Sequence, residues 1–185
     1  MFQKITWIAA LALAACSAPP DRLALTPLTS QLELRPLVRS AMLRTVSLPT
    51  YAAVEEVAFQ DASGLIVSND DVLWADDPQR AVTLVLSRNL SDILNIGVGP
   101  EPWPFVELAD VAIDVRVERM LAGSDGTFRL AGQYYVGGDG IAFRNSSHAF
   151  SIETPMTGGD LGSIATAQAQ ALLTLSEQIA RTLAR

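Results

Sequence analysis

The sequence predicts an α+β domain of two layers, an antiparallel sheet with two main amphipathic helices packed on it. Three observations carry this reading. Residues 111–117 alternate apolar and polar side chains with period two, turn-forming clusters at 124–126 and 137–140 fold the chain back beside them, and two long stretches place apolar residues at helical spacing.

Residues 22–26 alternate apolar and polar and read as a strand stopped by Pro27. Residues 42–48, with apolar Met42, Leu43, Val46 and Leu48, read as another stopped by Pro49. Segments 56–59 and 65–67 flank Asp61-Ala62-Ser63-Gly64 and predict a hairpin, after which Asn69-Asp70-Asp71 breaks the pattern. The first helix starts at Asp77-Pro78, because the aspartate caps free amide groups and proline suits the first helical position. Its apolar face is Val82, Val85, Leu86, Leu90, Ile93 and Leu94, and Gly97 offers the left-handed residue that ends it. Residues 97–104, with Pro100, Pro102 and Pro104 around Trp103, read as a loop.

Val111, Ile113, Val115 and Val117 alternate with Ala112, Asp114, Arg116 and Glu118, the pattern of a sheet with one wet face. Turns at Ser124-Asp125-Gly126 and Gly137-Gly138-Asp139-Gly140 lead into strands over 127–136 and 141–152, an antiparallel meander. Residues 160–185 form the closing helix. Leu161, Ile164, Leu172, Leu175, Ile179 and Leu183 lie on one stripe, Gln168 fills its polar place, and Arg181 and Arg185 suit the C-terminal end of the dipole.

The first residues are of another kind. Lys4 is followed by the apolar run 5–12 and by Leu13-Ala14-Ala15-Cys16, and Cys16 is the sole cysteine of the chain. This is a lipobox: a basic start, a short apolar segment and small residues before the cut. An ordinary cleaved signal with an incidental cysteine, or a buried N-terminal helix, is the lesser reading. The run is too short for a hydrocarbon core that takes about 20 apolar residues to span. Residues 1–15 are thus read as signal peptide, residues 16–21 as the lipidated N-terminus and a short tether stiffened by Pro19-Pro20, and residues 22–185 as one domain. Each buried CH₂ contributes about 0.8 kcal/mol, so two or more acyl chains on Cys16 anchor stably where one would not. Ser17 stands where a retention signal for the inner membrane would place aspartate, which directs the expectation to the periplasmic face of the outer membrane.

Lys4 is the chain's one lysine, so beyond residue 15 there are 12 Arg against 20 Asp plus Glu, a net charge of −8. Such a body repels nucleic acid and anionic headgroups alike, which excludes a nucleic-acid partner and a basic membrane patch. Catalytic and metal sites are not expected. His148 is the one histidine, and its neighbour Ser147 points to the opposite face of a strand. Asp70-Asp71 and Asp76-Asp77 lack the glycine and closing glutamate of a calcium loop and read as turn and cap residues. The glycines at 137, 138 and 140 precede a strand rather than a helix, so they do not cradle phosphate. No cofactor is expected beyond the covalent lipid on Cys16. Aromatic residues beside prolines supply rigid contact area, which makes Tyr51, Trp103 and Phe105 candidate partner-binding residues; core packing accounts for them equally well. Trp74, just before a capped helix, is expected to be buried, whereas Trp103 fits a surface contact or a loop plug.

Leu48-Pro49-Thr50-Tyr51, Leu73-Trp74-Ala75-Asp76, Pro102-Trp103 and the closing helix with Ala169, Leu172, Leu173, Leu175 and Ile179, in this order and after a lipobox, resemble the ABC-type transport auxiliary lipoprotein family, of which PqiC is the best-known type. The likeness runs from about Arg22 to Leu183. It departs from the family at Ala52, where an aliphatic residue often stands, and in having no basic or proline-rich tail after the last helix. The resemblance implies a non-enzymatic accessory whose partners are an MCE-domain protein and its ABC transporter complex, which move lipids or other hydrophobic molecules between the two membranes. A homo-oligomeric ring is one arrangement it admits. The alternative function is a stand-alone periplasmic lipoprotein that binds a small hydrophobic ligand between helices and sheet.

Overall fold

The computed structural model describes residues 19–138 and 143–184. The lipobox with Cys16 and the turn residues Asp139 and Gly140 lie outside them. The elements are β1 (Asp21–Leu23), β2 (Ser40–Leu43), a 3₁₀ turn (Thr50–Ala52), β3 (Glu56–Gln60), β4 (Ile66–Trp74), α1 (Pro78–Leu94), β5 (Gly97–Pro100), β6 (Val111–Ala122), β7 (Thr127–Gly137), β8 (Ser146–Pro155) and α2 (Leu161–Leu183). They build the two-layer α+β domain the sequence predicts, an eight-stranded sheet with the helices packed on each other and on one face.

β6 organises the sheet. One of its edges pairs antiparallel with β7 over nearly its whole length, and β7 pairs in turn with β8. Its other edge is shared. β2 lies parallel to its start, from Ala41 opposite Val111 to Leu43 opposite Ile113, with β5 parallel beyond β2. β3 meets it at the far end, Phe59 opposite Ala122, and carries β4 and then β1 outward. The sheet therefore forks, and side groups close the gap. Ser47 receives the Val117 N–H at 2.8 Å and donates to the Val115 carbonyl at 3.0 Å, and the Tyr51 hydroxyl accepts the Met120 N–H at 3.2 Å. With Tyr51→Phe the Met120 N–H is left without a partner. Urea unfolding is expected to show a loss of about 1 kcal/mol, and an unchanged midpoint would show that the bond is not needed.

The inward row of the sheet includes Val111, Ile113, Val115, Phe128, Leu130, Tyr134, Val136, Phe150 and Ile152, all buried beneath Leu86, Leu90, Ile93, Leu172, Leu175 and Ile179 of the helices. The outward row is wet: Arg116 donates to Asp114 at 2.9 Å and lies over the Tyr135 ring at 5.1 Å. Asp77 caps α1, accepting the Arg80 N–H at 2.8 Å, and Asp160 caps α2, accepting the Ser163 N–H at 2.8 Å. Gln168 is buried on the α2 stripe as its spacing predicts.

Several boundaries differ from expectation, each for a physical reason. The strand expected over 22–26 ends at Leu23. Residues 24–39 keep the alternating pattern of burial, yet they run across the helices, where Leu34 donates to the Ile93 carbonyl at 2.9 Å and Leu37 to that of Leu183 at 2.8 Å. This strap satisfies carbonyls that the helix ends leave open. The strand expected over 42–48 is interrupted after Leu43, where Val46 donates to the Thr83 hydroxyl at 3.0 Å, and meets β6 again only at Ser47. Asn69-Asp70-Asp71 is an irregularity inside β4, not its end, because the Asn69 side chain takes the Asp71 and Val72 N–H groups locally and the pairing resumes at Leu73. α1 stops at Asn95, which adopts the left-handed conformation at φ 50°, and Gly97 is free to begin β5 where a loop was expected. β8 starts at Ser146 and reaches Pro155. The sheet is mixed, not wholly antiparallel, because β1, β2, β3 and β5 enter through parallel pairings.

Candidate partner-binding surface

Residues 101–110 join β5 to β6 and are held at both ends against β2. Glu101 donates its N–H to the Leu43 carbonyl at 2.8 Å. Asp110 accepts the Arg39 N–H at 2.7 Å and donates its own N–H to the Ser40 hydroxyl at 3.1 Å. Between these anchors the half-buried Trp103 is a platform. Its indole N–H donates to the Glu107 carbonyl at 2.6 Å, and its ring lies so close over Gly99 that a β-carbon there would come within 3.0 Å of it. Phe105 meets that ring edge-on, with centroids 4.9 Å apart. Trp103 is thus both a plug beneath the loop and a support for its tip.

The tip is apolar and in water. Phe105 is 60% exposed, Leu108 92%, and Val106 wholly. With Arg39, Ser40, Glu107 and Asp110 these residues line an open hollow of about 470 Å³. The sequence pointed to Trp103 and Phe105 but not to Val106 or Leu108. The signal that marks them is a run of aliphatic residues in a segment with no periodicity to bury them. Tyr51 is not part of this surface. Its hydroxyl is bonded at Met120, nine residues along β6 from Val111 and hence about 30 Å from the loop's end of the strand at about 3.3 Å per residue.

The other singled-out residues take structural roles. Trp74 is buried, as expected. His148 stacks on Tyr134 with centroids 4.9 Å apart, and its Nε2 lies 3.0 Å from the hydroxyl of Ser146, the serine two residues away on the same face. Tyr134 continues to the Thr182 hydroxyl at 2.8 Å, so this chain of contacts ties sheet to helix. Asp76 pairs with Arg80 in the first turn of α1. Among the described residues no three His, Cys, Asp or Glu side chains gather as metal ligands would, and no helix is long and apolar enough to cross a membrane. A further hollow, of about 210 Å³, lies between the strap, α1 and α2, lined by Leu23, Leu25, Trp74, Leu84, Val85 and Gln168.

The fold is thus a helix-backed mixed sheet with an apolar loop held out at one corner. The chain belongs to the ABC-type transport auxiliary lipoprotein component family, whose model matches residues 23–180. It is therefore an auxiliary lipoprotein component of an ABC-type transport system. The crystal structure of an uncharacterized protein is similar to it at a TM-score of 0.69 and 22% identity, over 87% of this chain and 98% of that one. A protein from Xanthomonas campestris is similar at a TM-score of 0.69 and 16% identity, over 87% and 94%. The PelC dodecamer from Paraburkholderia phytofirmans is more distant, at 0.47 and 10%, over 84% and 95%. The first two share the fold described above. No curated protein matches the chain in sequence.

Proposed function

We propose that this lipoprotein holds an MCE-type transport complex against the periplasmic face of the outer membrane, with the lipid on Cys16 in the leaflet and the 101–110 loop on the partner. The observation that carries the reading is the exposed apolar tip of Phe105, Val106 and Leu108. It projects beside β5 and the start of β6, while the chain arrives from Cys16 at β1, on the outermost strand of the other fork. The entry of the chain at Asp21 and the tip thus occupy diagonally opposite corners, the arrangement a connector needs. Contact area rather than chemistry is its output. A hollow of about 620 Å³ where β3, the end of β6 and the start of α2 meet, lined by Phe59, Ala122, Met156, Leu161 and Ile164, lies within the ~300–1,000 Å³ usual for small-molecule sites, and it is the place the ligand-binding alternative would use.

Photo-crosslinking from position 105 in intact cells tests the reading. Capture of an MCE-domain protein or of its transporter subunits is expected, and a crosslinked envelope free of both would refute it. A second expectation concerns the anchor. Cys16→Ser should leave a folded domain, since the core is built from residues beyond Val38, yet the variant should be released from the membrane and fail to support envelope integrity. Full activity of that variant in cells would show that the lipid is dispensable.

A further inference from the structure

Away from the loop, two large apolar side chains stand exposed at the tip of the β3–β4 hairpin, Leu65 at 65% and Ile66 at 45%. Successive side chains of an extended chain point to opposite faces, so this tip is apolar on both sides, and a protein partner would cover one side only. Several polar groups of the turn are already used. Asp61 donates its N–H to the Leu65 carbonyl at 2.9 Å. Its carboxylate accepts the Ser63 N–H at 2.9 Å, the Ser63 hydroxyl at 2.6 Å and the Leu65 N–H at 3.0 Å. The Gln60 amide donates to the Gly64 carbonyl at 3.0 Å. A turn so bonded strands fewer unpaired groups when it nears the headgroup layer, where the rest can still meet water.

The register places this tip relative to the anchor. β1 is parallel to β4 with Asp21 opposite Val72, so the chain before Asp21 heads toward the hairpin end. Cys16 precedes Asp21 by five residues, as Val67 precedes Val72. At about 3.3 Å per extended residue, five residues reach up to about 16 Å, enough to span the distance along β4 from Val72 to Val67, next to Leu65 and Ile66.

We propose that Leu65 and Ile66 dip into the interfacial layer of the leaflet that holds the acyl chains on Cys16, so that hairpin and lipid together fix the orientation of the domain on the membrane. The inference rests on the lipid-anchored reading above. Insertion is shallow. The Ser63 hydroxyl and neighbouring N–H groups hold the Asp61 carboxyl below the ordinary carboxylate range, so its charge stays at headgroup depth. The contact is made by two apolar side chains, and it suits a zwitterionic surface.

The test uses the full lipidated chain in phosphatidylethanolamine–phosphatidylcholine vesicles. The Cys16 thiol carries the lipid, so Leu65→Cys, Ile66→Cys or Leu108→Cys each introduces the one free thiol for an environment-sensitive fluorophore. Emission from positions 65 and 66 is expected to shift to the blue on reconstitution and to be quenched by lipids labelled near the headgroup, while position 108 stays as in water. Flotation with the vesicles reports the anchor separately. A protein that floats with both hairpin positions in water overturns the inference while leaving the anchor intact, and one position dry with the other wet overturns it in favour of a one-sided protein contact. A protein that does not float overturns the anchored reading and this inference with it.

Discussion

Replacing Phe105 and Leu108 together by serine is expected to weaken capture of the transport partner by about a thousandfold, since two interface anchors at about 2 kcal/mol each sum to about 4 kcal/mol. Both side chains lie in water in the free domain, so their loss removes no core contact. The melting temperature should stay with that of the parent, because exposed substitutions away from caps and buried networks shift stability by about 0.5 kcal/mol or less. Binding of the purified variant to the MCE-domain protein of the proposed reading, read beside a thermal melt, separates the two effects. Parent-like affinity would move the docking site elsewhere. A collapsed melt would mean that the loop is structural. Trp103 is expected to behave differently. Its indole sits on Gly99 and bonds Glu107, so its loss disturbs the loop's own geometry together with any contact made by the tip.

The largest effect on stability is expected at Gly132, in the middle of β7. It lies opposite Val117, where β6 slips its register so that Arg119, not Glu118, meets the next residue of β7. The slip presses backbone onto backbone. A β-carbon at position 132 would stand 2.2 Å from the Arg116 carbonyl oxygen and 3.0 Å from both the Phe150 ring and the Val117 α-carbon. Two of these three neighbours are main chain and cannot rotate away as a side-chain end would. Gly132→Ala is expected to cost about 3 kcal/mol, by analogy with overpacked cores, and to lower the melting temperature by about 6–12 °C for a domain of this size. A melt within about 2 °C of the parent would show that β7 moves aside freely.

Much of this architecture is legible in the linear chain because it is periodic. The alternation from Val111 to Val117 marks a strand with one wet face, and both long helices follow from apolar stripes, the first also from its Asp77 cap, since these signals come from neighbours within a turn or two. Ambiguity enters where one pattern serves two purposes. The alternating burial of residues 24–39 reads as strand-like, yet it belongs to an extended strap whose inner side chains meet helices. Asn69-Asp70-Asp71 reads as a terminator, whereas the asparagine supplies local bonds that let the strand bulge and continue. Gly97 reads as the end of α1. Asn95 takes that role two residues earlier because a short polar side chain tolerates the left-handed region.

By itself the sequence determined the class of the domain, the two helices and the cap of the first, the meander of β6, β7 and β8, and the family resemblance carried by its ordered motifs. All of these rest on local spacing. Only the tertiary structure decided how the edge of β6 is divided between β2 and β3, that Tyr51 closes the gap between them, and that Gly97–Pro100 is a strand. Parallel partners distant in the chain leave no local signature, and a segment as glycine-rich as Gly97-Val98-Gly99-Pro100 becomes a strand because β2 offers it an open edge. The same holds for the candidate surface. Val106 and Leu108 are ordinary aliphatic residues until the anchors at Glu101 and Asp110 hold their loop away from the core, for exposure is set by what packs over a side chain and not by its type.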